Sequence, residues 1–574
     1  MKKSILASLL VPILLAGCSD STSSSSSSSN GSSSSATYTW QIVHLESVDE
    51  DDLGASCVIY ADSEIETDDS TVDDPEYQVI TAYQADDDYN ILYHYQDGTI
   101  AETIEASDIN NGSVTITLSD VPDNGYVTLE ELDGSSRIDY LGSFMFSVQK
   151  SLLDDMVLNI TAERSASSSC VTGSDHREGD AITKFVSVEQ KVNSVYYQTS
   201  FDVDSLAGSE FSSHIPVAYI EGESRDVLVT VFDDYTAVSD SSETTETTTE
   251  TIAEDREDLI YWAFVDSSSV YDAIFDEDGD FDLDDDKKQY ENDGIESTEL
   301  NASLTGVSWT TSDTVSLDDD SGVIVNHNDT TYLWQPIYDE NTELSIAYDT
   351  DEVDTWNSYF SGTVTLSDGD WTFTSFNDLT DDNVIDDDNL ELFDFTTPII
   401  ASLDGTTVID NTSSIGACTE LSSEDDGLAE PSYCIDLSSN FDPDEFTYQR
   451  LHIRLEDTSG ENFTNQTIIS EANTEPVVLS SSEVDLGTSP TLTRIELNLM
   501  NTDDEDLDAV EYLMTQNIDL ESVAEFGTNG SDDSAETDFY NDLNGYVATD
   551  AEIETLYQAV LKTNTTIVQS SYEP

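Results

Sequence analysis

The chain has 574 residues, with 123 acidic against 16 basic side chains and a formal net charge of −107. A surface this acidic repels the nucleic-acid backbone, so DNA or RNA binding is close to excluded. Hydrophobic residues make up 37 % and aromatics 9 % of the chain, enough to build a core, so wholesale disorder is not expected. Two compatible readings account for the acidity. One is adaptation to a salt-rich setting, where screening keeps an acidic surface soluble. The other is specific binding of cations by many carboxylates.

The chain opens with Met1-Lys2-Lys3, followed by an apolar run from Ile5 to Ala16. A basic start, a short apolar stretch and a small-residue exit form a secretory signal over residues 1–17. The run falls short of the about 20 residues that a membrane-spanning helix needs. Its exit, Leu15-Ala16-Gly17-Cys18, resembles the lipobox of bacterial lipoproteins. The resemblance implies that residues 1–17 are removed and that lipid on Cys18 holds the chain to a membrane. In such lipoproteins an Asp after the cysteine retains the protein in the inner membrane, so Ser19 implies the outer membrane. Residues 18–36 carry a serine tract with almost nothing to bury, which reads as a flexible tether. No later apolar stretch is long enough to cross a membrane. The body is expected to face the periplasm or the cell surface.

From residue 37 the body reads as strands. Runs such as Tyr38–His44, Tyr77–Tyr83, Ser113–Leu118, Asp226–Phe232 and Gly362–Leu366 are rich in β-branched and aromatic residues. Turn signals recur at Asp97-Gly98, Asp123-Asn124-Gly125, Asp133-Gly134 and Asp404-Gly405. Short strands with frequent turns predict a mainly β, multi-domain β-sandwich of Ig-like type. The alternative is a β-propeller, although no regular blade period is visible. Residues 37–238 form one expected β domain. Residues 239–258, nearly all Ser, Thr and acid, read as a linker or long loop. Residues 259–440 form a second β domain with Asp-rich loops, and 441–574 an α+β region. The segments Gly112–Asp120 and Gly362–Asp368 echo one another, which leaves open a duplicated domain or convergent strand-turn-strand composition.

Setting Cys18 aside, four cysteines remain, Cys57, Cys170, Cys418 and Cys434, an even number that suits an oxidising compartment. Proximity favours Cys418 with Cys434 and Cys57 with Cys170, among three pairings that four cysteines allow.

Asp276, Asp278, Asp280, Asp282 and Asp284 alternate around Gly279. Calcium takes six to eight oxygens, and alternating Asp with an embedded Gly supplies them on a curved backbone. The spacing resembles the Asp-rich loops of EF-hands, dockerins and thrombospondin type 3 repeats. It departs from the EF-hand at Phe281 and Lys287, where Gly and Glu belong. The structural alternative is a solvated acidic turn. Asp381–Asp388 is a weaker candidate of the same kind.

Trp262, Trp309, Trp334, Trp356 and Trp371, with Tyr348 and Tyr359, fall in the central segment. They are expected mainly as core, with a sugar-stacking surface as the alternative. Near the C-terminus, Asp503–Asn517 and Asp550–Lys562 show helical periodicity, with Asp550 as the expected cap of the second. The six histidines, His452 among them, show no metal spacing, and no nucleophile elbow, zinc-protease or phosphate-loop motif occurs. The expected function is a non-enzymatic surface lipoprotein in a coat, sheath or adhesion role, organised by Ca2+ where the Asp loops bind it. Its partners would be the membrane and a surface protein or glycan. A glycan-binding or glycan-processing lipoprotein is the alternative.

Overall fold

The computed structural model describes most of residues 36–160, the segment 169–172, separate strands between residues 190 and 436, and most of residues 445–572. Strands dominate and helices are few, as the short β-branched runs predict.

The N-terminal part supplies β1 (Thr37–Asp49), β2 (Ile59–Glu64), β3 (Tyr77–Gln84), β4 (Tyr89–His94), β5 (Ile100–Glu105), β6 (Ser113–Thr117), β7 (Tyr126–Leu132), β8 (Leu141–Gln149) and β9 (Met156–Asn159). β1 organises a 6-stranded sheet in the order β2-β3-β1-β9 with the short strand Gly545–Tyr546 at the end. The first half of β1 pairs β6 and its second half pairs β3. The segment 169–172 lies beside this sheet. Val171 N donates to Ala82 O at 2.8 Å and Val58 N to Val171 O at 3.0 Å. These bonds bring Cys170 against Cys57, and the two form a disulfide with Cα atoms 5.5 Å apart.

A second, 15-stranded sheet runs through all three parts of the sequence. The central part contributes β10 (Gly322–His327), β11 (Thr330–Pro336), β12 (Thr355–Leu366) and β13 (Gly369–Asp378). The C-terminal part contributes β14 (Tyr448–Glu456), β15 (Asn462–Glu471), β16 (Thr491–Thr502) and β17 (Thr565–Tyr572). The main order is β11-β10-β12-β13-β17-β16-β14-β15-β8-β7-β4-β5. The last four long strands of the chain thus lie between the N-terminal strands and the central ones. The joint to the N-terminal part is the parallel pair β15–β8, and the joint to the central part is the antiparallel pair β13–β17.

The 6-stranded sheet packs on the β8-β7-β4 end of the long sheet. Trp40 and Ile42 of β1 and Leu158 of β9 meet Tyr89, Ile91, Val127, Leu129, Phe146 and Val148. Two helices, α1 (Asp508–Thr515) and α2 (Asp550–Val560), cover a neighbouring stretch of the long sheet. Ala509, Leu513, Leu556, Tyr557 and Val560 bury against Phe376, Met500 and Ile567. The expected helices are thus present and pack on the last sheet. The described part of the first spans Asp508–Thr515, and Asp503 itself is not helical. The second is capped by Thr549 rather than Asp550, because Thr549 and Glu552 bond each other's backbone N–H reciprocally.

The two echoing segments are not equivalent. Gly362–Leu366 and Trp371–Thr374 belong to one hairpin, β12–β13. The matching N-terminal strands, β6 and β7, lie in different sheets. Convergent composition therefore accounts for the echo. The expected linker 239–258 lies outside the described residues.

Candidate functional site

One face of the long sheet, across β4, β7, β8, β15 and β14, is crossed by the segment 474–484. Val477 and Leu479 sink among Leu92, Tyr126, Met145 and Ile468. Between these contacts, buried polar side chains of the sheet hold the segment's backbone. Gln466 Nε2 donates to Leu479 O at 2.9 Å, and Leu479 N donates back to Gln466 Oε1 at 3.0 Å. Gln449 Nε2 donates to Thr474 O at 2.8 Å. Gly98, in the β4–β5 turn at φ 81°, lies so close that an added Cβ would stand 2.4 Å from Val478 O. Its own carbonyl accepts from Ser480 N at 2.9 Å.

Two ionisable groups are buried in this network. Glu130 of β7 accepts from Ser143 Oγ at 3.0 Å and Ser482 N at 2.9 Å, and also from the hydroxyls of Ser481 and Ser482. Four donors replace the water that this carboxylate loses. His94 of β4 bonds Ser480 O through Nε2 at 2.9 Å and Thr128 Oγ1 through Nδ1 at 3.0 Å. Burial lowers its pKa to about 4, against the partial opposition of the Ser480 bond and the Glu130 and Asp97 charges. His94 is therefore neutral at pH 7.

The opposite face of β14, β15 and β16 carries a basic cluster. Strand alternation places Arg450, His452 and Arg454 in a row. Register then sets His452 opposite Glu496 and Arg454 opposite Arg494. Arg450 and Arg494 both reach Glu496, at 3.5 and 3.8 Å, while Arg454 meets Glu456 at 3.1 Å. The Arg454 guanidinium also lies 4.3 Å above the Phe463 ring, which packs edge-on to Phe144 at 5.8 Å. Gly142 makes room for that ring, since a Cβ there would stand 2.5 Å from it. His452 Nδ1 bonds Thr467 Oγ1 at 2.9 Å, and its buried Nε2 has no hydrogen-bond partner among the described residues. Burial, then the charges of Arg450, Arg494 and Arg454, push its pKa down to about 3.

Of the residues singled out in the sequence, Cys57 and Cys170 are joined as expected. Cys434 sits in the strand Tyr433–Asp436 opposite Gly416, while Cys418 lies outside the described residues, and their pairing with it. Cys18, the five aspartates from Asp276 to Asp284 and the Asp381–Asp388 loop also lie outside them. Among the described residues, no group of three or more His, Cys, Asp or Glu is placed to hold a metal ion. No helix among them is long and apolar enough to cross a membrane. Trp262, Trp334, Trp356 and Trp371 are all buried, and Trp334 stands 5.4 Å from Trp262 and 4.9 Å from Trp356. These four are core, and Tyr359 is buried with them; Trp309 and Tyr348 lie outside the described residues.

Neither buried network stood out in the sequence as a site. The signal the sequence offers is the alternation of Arg450, His452 and Arg454 in a chain holding only 16 Lys and Arg. Its meeting with Arg494 depends on a register that no local pattern reveals. No protein family, curated protein or solved structure matches this chain.

Proposed function

We propose that this chain is a lipid-anchored outer-membrane protein whose β body serves a structural, coat or adhesion role at the cell surface rather than a catalytic one. The observation that carries the reading is the use made of the long sheet's polar groups. Glu130, Gln466, Gln449 and His94 each make at least one hydrogen bond to the segment 474–484. That is the behaviour of a scaffold locked against opening. The Cys57–Cys170 disulfide supports export to an oxidising compartment, and the Leu15-Ala16-Gly17-Cys18 exit supports the lipid anchor. Proteinase K added to intact cells should degrade the body while a periplasmic control protein survives. Survival of the body until the outer membrane is broken would contradict the surface role.

In the same reading the loop Asp276, Asp278, Asp280, Asp282 and Asp284 binds Ca2+ and organises the central part. Calorimetric unfolding of the mature chain at fixed high sodium chloride separates this from general screening. Calcium should raise the melting temperature over the chelated sample, and the double substitution Asp278→Asn, Asp280→Asn should abolish the rise. Equal melting temperatures with calcium and with chelator would remove calcium from the account.

A further inference from the structure

Helix α1 and the short strand Gly545–Tyr546 meet at the core between the two sheets. Val510 and Met514 of α1 pack there with Tyr546 and Ala548, beside Trp40 and Phe146. Gly545 lies so close that an added Cβ would stand 2.6 Å from the Phe146 ring. The strand pairs with β9 through two residues, Gly545 with Asn159 and Tyr546 with Leu158. A long polar bond ties it to the helix, with Tyr546 Oη donating to Glu511 Oε2 at 3.5 Å. Among the described residues, the side-chain charges that act on Glu511 are all negative. Asp508 precedes it on α1 by three residues, a spacing that sets both carboxylates on one face. Glu552 stands in the first turn of α2, in the capping box with Thr549. Asp154, from the β8–β9 connection, approaches on the sheet side, where its carbonyl accepts from Trp40 Nε1 at 3.2 Å. The hydroxyl of Tyr60, on β2, lies near Glu552 and Tyr546. Burial, then Asp154 and Asp508 and more weakly Glu552, raise the Glu511 carboxyl to about 7, against the opposing Tyr546 bond.

We propose that Glu511 is a pH-sensitive latch between helix α1 and the strand Gly545–Tyr546. Protonated, the carboxyl tolerates both its burial and its acidic neighbours, and the joint is closed. Ionised, it is repelled by Asp154, Asp508 and Glu552 where little water screens the charges, and the joint loosens. The sign follows from a folded carboxyl that titrates above its ordinary 4.5. The stabilisation is complete below pH 4.5, is lost as pH rises towards 7, and falls no further above that. The strand is the weak partner, because two paired residues hold it at the end of its sheet, so the opening is local. The inference is independent of the surface role proposed above, since it rests on this joint alone.

The test is amide hydrogen exchange of the mature chain at pH 5 and pH 8 and one ionic strength, corrected for the intrinsic pH dependence of exchange. Protection of α1 and of residues 545–548 should fall about tenfold between the two, the worth of one pKa step once solvent screening of a half-buried group is allowed for. Amides of β4 and β7 are the control, because His94 does not weaken that region as pH rises. This readout needs no variant to fold. Glu511→Gln keeps an acceptor for Tyr546 and removes the titration, so its α1 protection should be the same at both pH values. Asp154→Asn keeps the main-chain bond to Trp40 and removes one repelling charge, so the fall should shrink. Unchanged protection in the parent, or a fall of equal size throughout the molecule, would overturn the latch. An undiminished fall in a folded Glu511→Gln chain would overturn it equally.

Discussion

His94 is fully buried, and both of its ring nitrogens are bonded. Its folded pKa of about 4 lies below the ordinary 6.5, so between those values the unfolded chain holds a proton that the folded one rejects. The contribution to stability is complete above pH 6.5 and is lost as pH falls towards 4, by at most about 3 kcal/mol. His452 acts in the same direction, with a folded pKa of about 3. Glu511 acts oppositely. Burial, Asp154 and Asp508 raise its pKa to about 7, so its effect is to weaken the fold as pH rises from 4.5 towards 7. The parent's pH profile therefore mixes signs, and the informative quantity is a difference. Urea unfolding of His94→Gln should give a smaller loss of stability between pH 6.5 and pH 4 than the parent shows. Parallel profiles would contradict the buried neutral imidazole. In the sequence His94 was one of six scattered histidines. Its partner Ser480 lies 386 positions away, and no local signal links the two.

At the level of elements, strands were legible and their partners were not. Asp226–Phe232 forms a strand with the bounds read from the sequence, and Tyr38–His44 and Gly362–Leu366 fall inside longer ones. β-Branched runs between turn residues carry that information locally. The β15–β8 pair joins residues more than 300 positions apart, which period and composition cannot encode. The cap of α2 is Thr549 and not the expected Asp550, because Thr549-Asp550-Ala551-Glu552 is a complete capping box. Thr549→Ala removes the acceptor for Glu552 N and should cost about 1 kcal/mol, seen as a lower urea midpoint with an unchanged slope. Helix α2 carries Leu556, Tyr557 and Val560 into the core over β13, β16 and β17, so the loss should be felt by the long sheet. A midpoint that does not move would show that the cap is idle.

Across the whole molecule, long-range covalent and strand connections tie together segments that composition divides. Cys57 and Cys170 are 113 positions apart, and closing a loop of about 100 residues is worth up to about 4–5 kcal/mol in the chain-entropy view. Replacing both with Ala should lower the unfolding midpoint of the oxidised protein, and added reductant should then have little further effect on this sheet. A double variant as stable as the oxidised parent would contradict a structural role for the bond. The β class of the molecule was legible because most of the chain repeats one local signal. The stitching of N-terminal and central strands by the last four long strands was not, since it is a property of sheet order.

The scaffold reading also requires export and anchoring, and the chemistry of one residue decides both. Tandem mass spectrometry of the N-terminal peptide, from protein purified out of its native membrane, reads that chemistry directly. The account predicts a chain that begins at Cys18 and carries lipid on Sγ. A chain that begins elsewhere, or an unmodified Cys18 thiol, would contradict it.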